Sequence, residues 1–185
     1  MGEWDRWLTK GEACRELGNA IVLQAVDDWK TAWKALQKKP NDTQMQNRMI
    51  TSESFFKSDW YKALLDYPAE ELMERLPEMA KQELYYDVTQ KWIKAYITTR
   101  VLKPGKKTND RRIDNAYKRM REAETEMRSK YFIRLYGKHP EEVIEDCRYK
   151  ADTQIEDEEE RKRQERIIQR RVEDYEKYNK PSRKK

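Results

Sequence analysis

The side chains that most often carry chemistry in enzymes are scarce in this chain. It holds one histidine, His139, and two cysteines, Cys14 and Cys147, that lie far apart in sequence. Three serines within residues 52–58 could act as nucleophiles, but only the distant histidine could activate them. No CxxC, HExxH or glycine-rich phosphate loop occurs. We therefore predict a protein that is not an enzyme and that uses no metal ion or cofactor.

The main candidate for binding chemistry is a run of basic residues in the middle of the chain. Only Asp110 and Asp114 oppose this positive charge within the run, and Tyr96 and Tyr117 place aromatic rings nearby. Such a set can bind the phosphate backbone of nucleic acid or an acidic protein face, although a solvated linker can have the same composition. The candidate residues are Arg100, Lys103, Lys106, Lys107, Arg111, Arg112, Lys118, Arg119 and Arg121.

The net charge is concentrated in the same region. Residues 1–82 hold 12 basic and 14 acidic residues, a net charge of −2. Residues 83–139 hold 15 basic and 7 acidic residues, a net charge of +8, and residues 140–185 hold 13 and 14, a net charge of −1. The middle segment therefore carries more than the whole excess of +5, and a polyanion would bind there.

A second charged motif lies near the C-terminus, where an acidic run over 157–160 is followed by the basic residues 161–163. The acids could imitate nucleic acid or bind a divalent metal, but the basic residues that follow cancel their field and the spacing is not that of a calcium loop. Acidic and basic residues three and four apart favour a solvent-exposed helix held by ion pairs, such as Glu158–Lys162, Glu159–Arg163 and Asp157–Arg161.

Aromatic residues form two further candidate surfaces. Phe55, Phe56, Trp60 and Tyr61 could dock a partner, because Trp and Tyr dominate interface hot spots. Packing of this corner against the first helix is the favoured interpretation. Trp4 and Trp7 stand near the N-terminus, where an interface role and simple packing are equally consistent with the sequence.

Apolar spacing in the first half of the chain predicts helices. The first covers about 10–38, Asp42 caps a second that reaches about Ile50, Ser58 caps a short third, and Pro68 opens a fourth. The predicted apolar stripe of the first helix consists of Leu17, Ile21, Gln24, Ala25, Asp28, Ala32, Ala35 and Leu36, with Trp29 and Trp33 beside it.

The second half of the chain continues this all-α pattern. We predict a helix over 83–102, a linker over 103–110, and a helix over 111–136 that Asp110 caps and Gly137 ends. Pro140 then begins a last helix that reaches Tyr178. The predicted buried stripes are Leu84, Val88, Trp92, Ala95, Tyr96 and Leu102, then Ile113, Tyr117, Met120, Ala123, Met127, Tyr131 and Leu135, and finally Ile144, Cys147, Ala151 and Ile155, with a late seam at Ile168, Val172 and Tyr175.

These elements group into an N-terminal helical module over about 1–82, a basic helical segment over 83–139, and a long charged helix with a basic tail over 140–185. No apolar run approaches the roughly 20 residues that a membrane span requires. The first residues lack a signal-peptide pattern, and two distant cysteines do not form a disulfide framework. We predict a cytoplasmic protein with reduced thiols that does not associate with membranes.

Two stretches carry a resemblance to a known family. Residues 19–29 read NAIVLQAVDDW and lead to Lys38-Lys39-Pro40, and residues 53–64 read ESFFKSDWYKAL and are followed by Glu71-Leu72-Met73. Over about 15–76 the chain resembles a helical module of small uncharacterised proteins from bacterial prophages and integrative mobile elements. That family usually has a glycine-containing turn before its final helix, where this chain has Tyr67-Pro68-Ala69. The resemblance implies a genetic context, which includes anti-CRISPR proteins, and no reaction.

The basic run and this context lead to one main hypothesis. We expect a non-enzymatic mobile-element protein that binds and sterically inhibits a host protein or ribonucleoprotein in the bacterial cytoplasm, most concretely an anti-CRISPR-like inhibitor of an RNA-guided CRISPR nuclease. The alternative is a nucleic-acid-binding accessory protein of phage or mobile-element replication or transfer. A third hypothesis is self-association through the C-terminal helix.

Overall fold

A computed structural model of the chain describes residues 10–65 and 67–178, without the side chains of residues 10–14, 172 and 174–178. These residues form seven helices and no strands, which confirms the predicted all-α fold. The chain divides into two compact units, here the N-terminal unit, which ends at Asp87, and the C-terminal unit, which begins at Val88. The helices are α1 (Lys10–Lys38), α2 (Thr43–Phe56), α3 (Asp59–Leu64), α4 (Ala69–Val101), α5 (Lys107–Met127), α6 (Lys130–Tyr136) and α7 (Pro140–Tyr178).

The corner between α2 and α3 is fixed by side-chain caps at both helix starts. The Asp42 carboxylate accepts a hydrogen bond from the backbone N–H of Met45, and the Ser58 hydroxyl accepts one from that of Tyr61, so both predicted caps are confirmed. The predicted end of α2 at about Ile50 is wrong, because the helix continues to Phe56. Within this extension, the hydroxyls of Thr51, Ser52 and Ser54 donate to carbonyls four residues earlier, so their polar atoms are satisfied inside the helix.

The core of the N-terminal unit is built from α1, the α2–α3 corner and the first turns of α4. Gly18 allows a close approach between α1 and α3, because a Cβ atom there would stand 3.0 Å from the Leu64 side chain. The buried residues of this core are Val22, Val26, Trp29, Phe56, Tyr61, Ala69, Leu76 and Ala80.

The predicted stripe of α1 is confirmed at Ala32, which is completely buried, but it is wrong further toward the N-terminus of the helix. Leu17 is 62% exposed and Gln24 is also exposed, whereas Val22 and Trp29 are buried. Burial of the large Trp29 ring removes more apolar surface from water than burial of Leu17 would. Its indole N–H donates to the Glu53 carboxylate at 3.1 Å, which also satisfies its polar atom and fixes the rotation of α1.

Helix α4 joins two segments that the sequence predicts as separate helices, one opening at Pro68 and one over 83–102. Pro77 lies inside α4 and cannot donate a backbone hydrogen bond. Leu76 and Ala80 are completely buried on either side of it. Their burial stabilises the continuous helix against the loss of that bond.

The connection between α4 and α5 is shorter than the predicted linker over 103–110. Helix α5 begins at Lys107 because two local hydrogen bonds close the loop: the Asn109 side chain donates to the Lys103 carbonyl at 2.9 Å, and the Gly105 N–H donates to the Asp110 carboxylate at 3.0 Å. Asp110 therefore lies inside the first turn and is not the predicted cap.

The predicted single helix over 111–136 is divided in the structure. Helix α5 ends at Met127, and Ser129 caps α6 by accepting from the backbone N–H of Phe132 at 3.3 Å. Gly137 ends α6 in the left-handed conformation with φ = 63°, and α7 begins at Pro140, as predicted. Burial of Met127 and Phe132, both fully enclosed, requires the turn between them.

The core of the C-terminal unit confirms much of the predicted pattern. Tyr117 is an exception because it is 51% exposed, and Phe132 takes the interior position predicted for Tyr131 and Leu135. The predicted residues that are only half-buried are Tyr96, Leu102, Ile113, Met120, Tyr131, Leu135 and Ile155. The buried residues include Val88, Trp92, Ala95, Ala116, Ala123, Met127, Phe132, Val143, Ile144, Cys147 and Ala151.

Candidate polyanion-binding surface

The last turns of α4 and helix α5 form an antiparallel helical hairpin within the C-terminal unit. The loop of residues 102–106 joins them, and the partners across the hairpin set its direction. The Trp92 indole N–H donates to the Glu124 carboxylate at 2.9 Å, and the Lys91 ammonium donates to Glu122 at 2.7 Å. Trp92 is buried, so this edge of the hairpin is fixed by packing as well as by polar contacts.

All nine basic residues predicted as a binding site are exposed on or beside this hairpin. Within residues 10–65 and 67–178, none of the nine forms an ion pair, whereas the nearby cations Lys91 and Arg128 do. Arg128 pairs with both Glu124 and Glu141. The positive charge of the nine candidate residues is therefore not neutralised by close contacts in the described protein, and it is available to an anionic partner.

The nine residues do not share one face. Arg112 and Arg119 are seven residues apart, which places them on the same side of α5 about 10 Å from each other at 1.5 Å per residue. Arg111 and Lys118 repeat that spacing immediately beside them. We call these four residues the basic face.

The remaining five candidates lie outside this set of four. Arg100 lies with its guanidinium 6.0 Å from the centre of the Tyr96 ring. Burial raises the pKa of Tyr96, and a hydrogen bond to Asp152 of α7 raises it further, so this side of α4 faces α7. By the 100° rotation per residue of a helix, Arg121 lies on the side of α5 opposite Arg112 and Arg119, whereas Lys107 lies one turn before Arg111, on the same side of α5 as Arg111 and Lys118. Lys103 and Lys106 belong to the loop.

A groove runs between the two helices of the hairpin along one edge of the basic face. It has a volume of about 300 Å³. Its titratable lining residues are all basic, and Ala116 leaves room at its floor because its side chain is a single methyl group. We call this the α4–α5 groove; its lining residues are Lys91, Lys94, Ala95, Thr98, Arg112, Ala116 and Arg119.

Sequence reasoning found only two of the four basic residues of the α4–α5 groove. It missed Lys91 and Lys94, which precede the basic run by about two turns of α4. Their i, i+3 spacing on the edge of the buried Trp92–Ala95 stripe is a signal that could have found them once an antiparallel hairpin was assumed.

The carboxylate of Glu122 stands close to the groove and already accepts a hydrogen bond from Lys91. A hydrogen bond from Lys91 lowers the pKa of Glu122, and the nearby charges of Lys118 and Arg119 lower it further. Glu122 is therefore ionised at neutral pH and holds Lys91 in place. Lys94, Arg112 and Arg119 keep their charge for a ligand.

The aromatic corner is mainly structural, as the favoured interpretation predicts. Phe56 and Tyr61 are 0% and 1% exposed, and their rings meet edge to face with centroids 5.8 Å apart. Phe55 packs against both rings in the same manner. Trp60 differs, because it is 68% exposed. Trp4 and Trp7 lie outside the described residues.

The charged stretch of α7 is a solvent-exposed helix with ion pairs along its length, as predicted. Glu158 accepts from Arg161 and Lys162 at 2.7 and 3.2 Å, and these contacts lower its pKa. Arg161 therefore pairs with Glu158 and not with the predicted Asp157, and Arg163 lies 3.9 Å from Glu160. The late seam is described only at Ile168, which is exposed, because the other two side chains and the basic tail lie outside the described part.

The residues considered for catalysis are engaged in local structure. His139 stands in the bend before α7, where its Nδ1 accepts from the backbone N–H of Glu141 at 3.4 Å. The hydroxyls of Ser52, Ser54 and Ser58 donate to backbone carbonyls. Among the described residues, no group of three His, Cys, Asp or Glu side chains could hold a metal ion. None of the described helices has the length and apolar character that crossing a bilayer demands.

Comparison with known proteins gives no relative for this arrangement. No protein-family model, no curated protein and no solved structure matches the chain.

Proposed function

We propose that this protein acts by binding a macromolecule without catalysing a reaction, and that the basic face contacts the nucleic-acid part of a nucleoprotein. The observation that carries the proposal is the set of nine exposed candidate cations on and beside the α4–α5 hairpin, none of which is ion-paired in the part of the chain that the structure describes, although Lys91 of the same hairpin is. Surface cations on the other helices commonly have acidic partners.

Steric inhibition is the mode of action that best suits such a protein. Buried aromatic side chains and caps fix the helices of each unit, so the hairpin presents its charges on a rigid support. In the mobile-element context that the resemblance over about 15–76 implies, the nucleoprotein would be an RNA-guided CRISPR nuclease of a bacterial host. Binding of the basic face to the guide RNA, to the DNA or to an acidic protein face would then exclude the substrate.

The test is a cleavage assay with purified RNA-guided nucleases from bacterial hosts. Each nuclease, loaded with its guide, is mixed with the protein before the target DNA is added. We expect cleavage to stop near equimolar protein and a single complex to be visible by light scattering. Replacing the four residues of the basic face by Gln should restore cleavage. Full cleavage at excess protein, with no complex detected for any nuclease, would contradict this function.

A second candidate function is supported by the α4–α5 groove itself. Its basic lining could receive a nucleic-acid backbone without any protein partner, as expected of an accessory protein of replication or transfer. The affinity for naked DNA, measured over a range of salt concentrations, distinguishes the two functions. An accessory protein binds naked DNA tightly, with an affinity that falls steeply as salt is raised, whereas an inhibitor binds naked DNA weakly and needs the nucleoprotein for a stable complex.

A further inference from the structure

We infer that the α4–α5 groove is a phosphate-binding track for the sugar–phosphate backbone of one nucleic-acid strand. This inference deepens the proposed function and rests on it. It assigns the contact to particular side chains, Lys94, Arg112 and Arg119, and it separates them from the other exposed cations of the same hairpin.

The positive charge of the residues that line the groove is the first argument. Four of the seven lining residues are basic and none is acidic. Lys91 lies 2.7 Å from Glu122 and is ion-paired with it, so it is a fixed part of the groove wall. The other three basic residues, Lys94, Arg112 and Arg119, have no ion-pair partner among the described residues. Removing charge from water costs free energy unless an opposite charge replaces the solvent. A groove with this lining therefore favours an anionic occupant.

The spacing of the two arginines is the second argument. Arg112 and Arg119 stand on the same face of α5 about 10 Å apart, which is the rise of about three phosphates along one strand of a duplex at 3.4 Å each. A guanidinium can donate two parallel hydrogen bonds to one phosphate. The pair can therefore bind two phosphates of the same strand, with Lys94 on the opposite wall.

The shape of the groove is the third argument. The residues at the base of the groove are Ala116 and Ala95, which are both buried and have small side chains. The base of the groove therefore leaves room for a nucleic-acid strand that lies along it. The Thr98 hydroxyl donates to the Lys94 carbonyl at 2.8 Å, a length typical of such bonds, so this donor is engaged within α4. Recognition here depends on charge and reads no base, so we expect binding without sequence preference.

The experiment compares two triple variants of the full-length protein with equal charge. The groove variant carries Lys94→Gln, Arg112→Gln and Arg119→Gln, and the control variant carries Lys107→Gln, Arg100→Gln and Arg121→Gln. All six positions are exposed, each set removes one Lys and two Arg, and Gln favours helix. Circular dichroism checks that both variants fold like the wild type.

The probes are a labelled 20-nucleotide single strand, the corresponding duplex and a 20-residue polyglutamate, each titrated by fluorescence anisotropy over a range of salt concentrations. We expect the groove variant to reduce the salt slope for one of the nucleic acids by about three, because each lost phosphate contact reduces it by about one. The control variant should reduce it by less than one. The preferred form, single strand or duplex, identifies the source of the strand.

A second pair of substitutions tests the geometry. Arg112→Lys with Arg119→Lys keeps the charge but removes the planar guanidinium groups, which can each donate two parallel hydrogen bonds to one phosphate. We expect a nearly unchanged salt slope and a weaker affinity for the nucleic acid, whereas Arg121→Lys should change neither.

Two results would overturn the inference. One is an equal effect of the groove and control variants, which would make the contact a diffuse effect of net charge. The other is binding of polyglutamate as tight as that of the oligonucleotides, with the same dependence on the variants, which would make the groove a docking site for acidic protein. If a nucleoprotein complex still forms with the groove variant, the proposed function stands and only the track is wrong. If oligonucleotides bind in the groove but no nucleoprotein does, the track stands and the inhibitor function is wrong.

Discussion

The N-terminal unit and the basic face of the C-terminal unit use positive charge in opposite ways. In the N-terminal unit, cations of α1 and α2 pair with acids on neighbouring helices: Lys30 lies 3.2 Å from Glu83, Lys34 lies 3.4 Å from Asp87, and Arg48 pairs with Asp28. In the C-terminal unit, the cations of the basic face have no such partners among the described residues.

The difference separates structural charge from charge that is available for binding. The side chains of Lys30 and Lys34 are only 15% and 21% exposed, while their partners Glu83 and Asp87 are 40% and 57% exposed, so the two lysines are part of the packing between α1 and α4. Hydrogen bonds and attraction from Asp27 and Glu83 raise the pKa of Lys30 even though burial opposes this, so the ion pairs outweigh desolvation. Removing such a cation should affect stability, while removing one from the basic face should affect only binding.

The largest expected effect is on the packing of the N-terminal unit. Phe56→Ala removes a completely buried ring from two edge-to-face contacts at the α2–α3 corner, and we expect it to lower the free energy of unfolding by about 3–5 kcal/mol. Denaturant unfolding followed by tryptophan fluorescence measures this loss. Trp60→Ala is the control, because the exposed Trp60 should cost much less, and equal losses for the two would show that the corner is not a packed core.

The next effect concerns the core of the C-terminal unit. Burial raises the pKa of the Cys147 thiol to about 11 from an ordinary value of 9.0, so its thiolate fraction at pH 8 is lower by about a hundredfold. We expect Cys147 to resist iodoacetamide in the native protein and to react in urea, as measured by peptide mass spectrometry. Because the folded state favours the protonated thiol, this group contributes its stability below about pH 9 and loses it as the pH rises to about 11. Rapid alkylation without denaturant would contradict this packing.

A smaller effect tests the structural ion pairs directly. Lys30→Met with Lys34→Met should lower the free energy of unfolding by about 1 kcal/mol, since both pairs lie at a partly exposed surface where solvent screens the interaction. The measurement is denaturant unfolding at low and high salt. We expect the difference from the wild type to shrink as salt is added. A variant as stable as the wild type at low salt would remove the distinction between the two units.

The smallest effect on stability belongs to the basic face. Arg111→Gln with Lys118→Gln should change the free energy of unfolding by less than about 0.5 kcal/mol, because both side chains are exposed and neither is ion-paired in the described protein. The same denaturant assay checks this value. A loss as large as that of the Lys30 and Lys34 variant would mean that these cations are structural after all.

Local signals were the part of the fold that could be predicted from the sequence. The caps at Asp42 and Ser58, the end at Gly137 and the restart at Pro140 each depend on a few neighbouring residues, and all four occur where the pattern indicates. The all-α class follows from the same spacing.

Features that depend on tertiary packing could not be predicted in this way. Helix α4 continues through Pro77 because buried residues on both sides stabilise it, and α5 stops at Met127 because Phe132 must also reach the core. The basic run was identified from composition, but Lys91 and Lys94 enter the α4–α5 groove only through the antiparallel pairing of two helices, which no local pattern specifies.

The most direct test of the account is the association of the wild-type protein and the variant Arg111→Gln, Arg112→Gln, Lys118→Gln, Arg119→Gln with a guide-loaded RNA-guided nuclease, measured by light scattering at several salt concentrations. We predict a stable complex for the wild type that weakens as salt rises, and none for the variant, whose folding is unchanged. A variant that binds as tightly as the wild type, with the same dependence on salt, would contradict the claim that the basic face makes the contact.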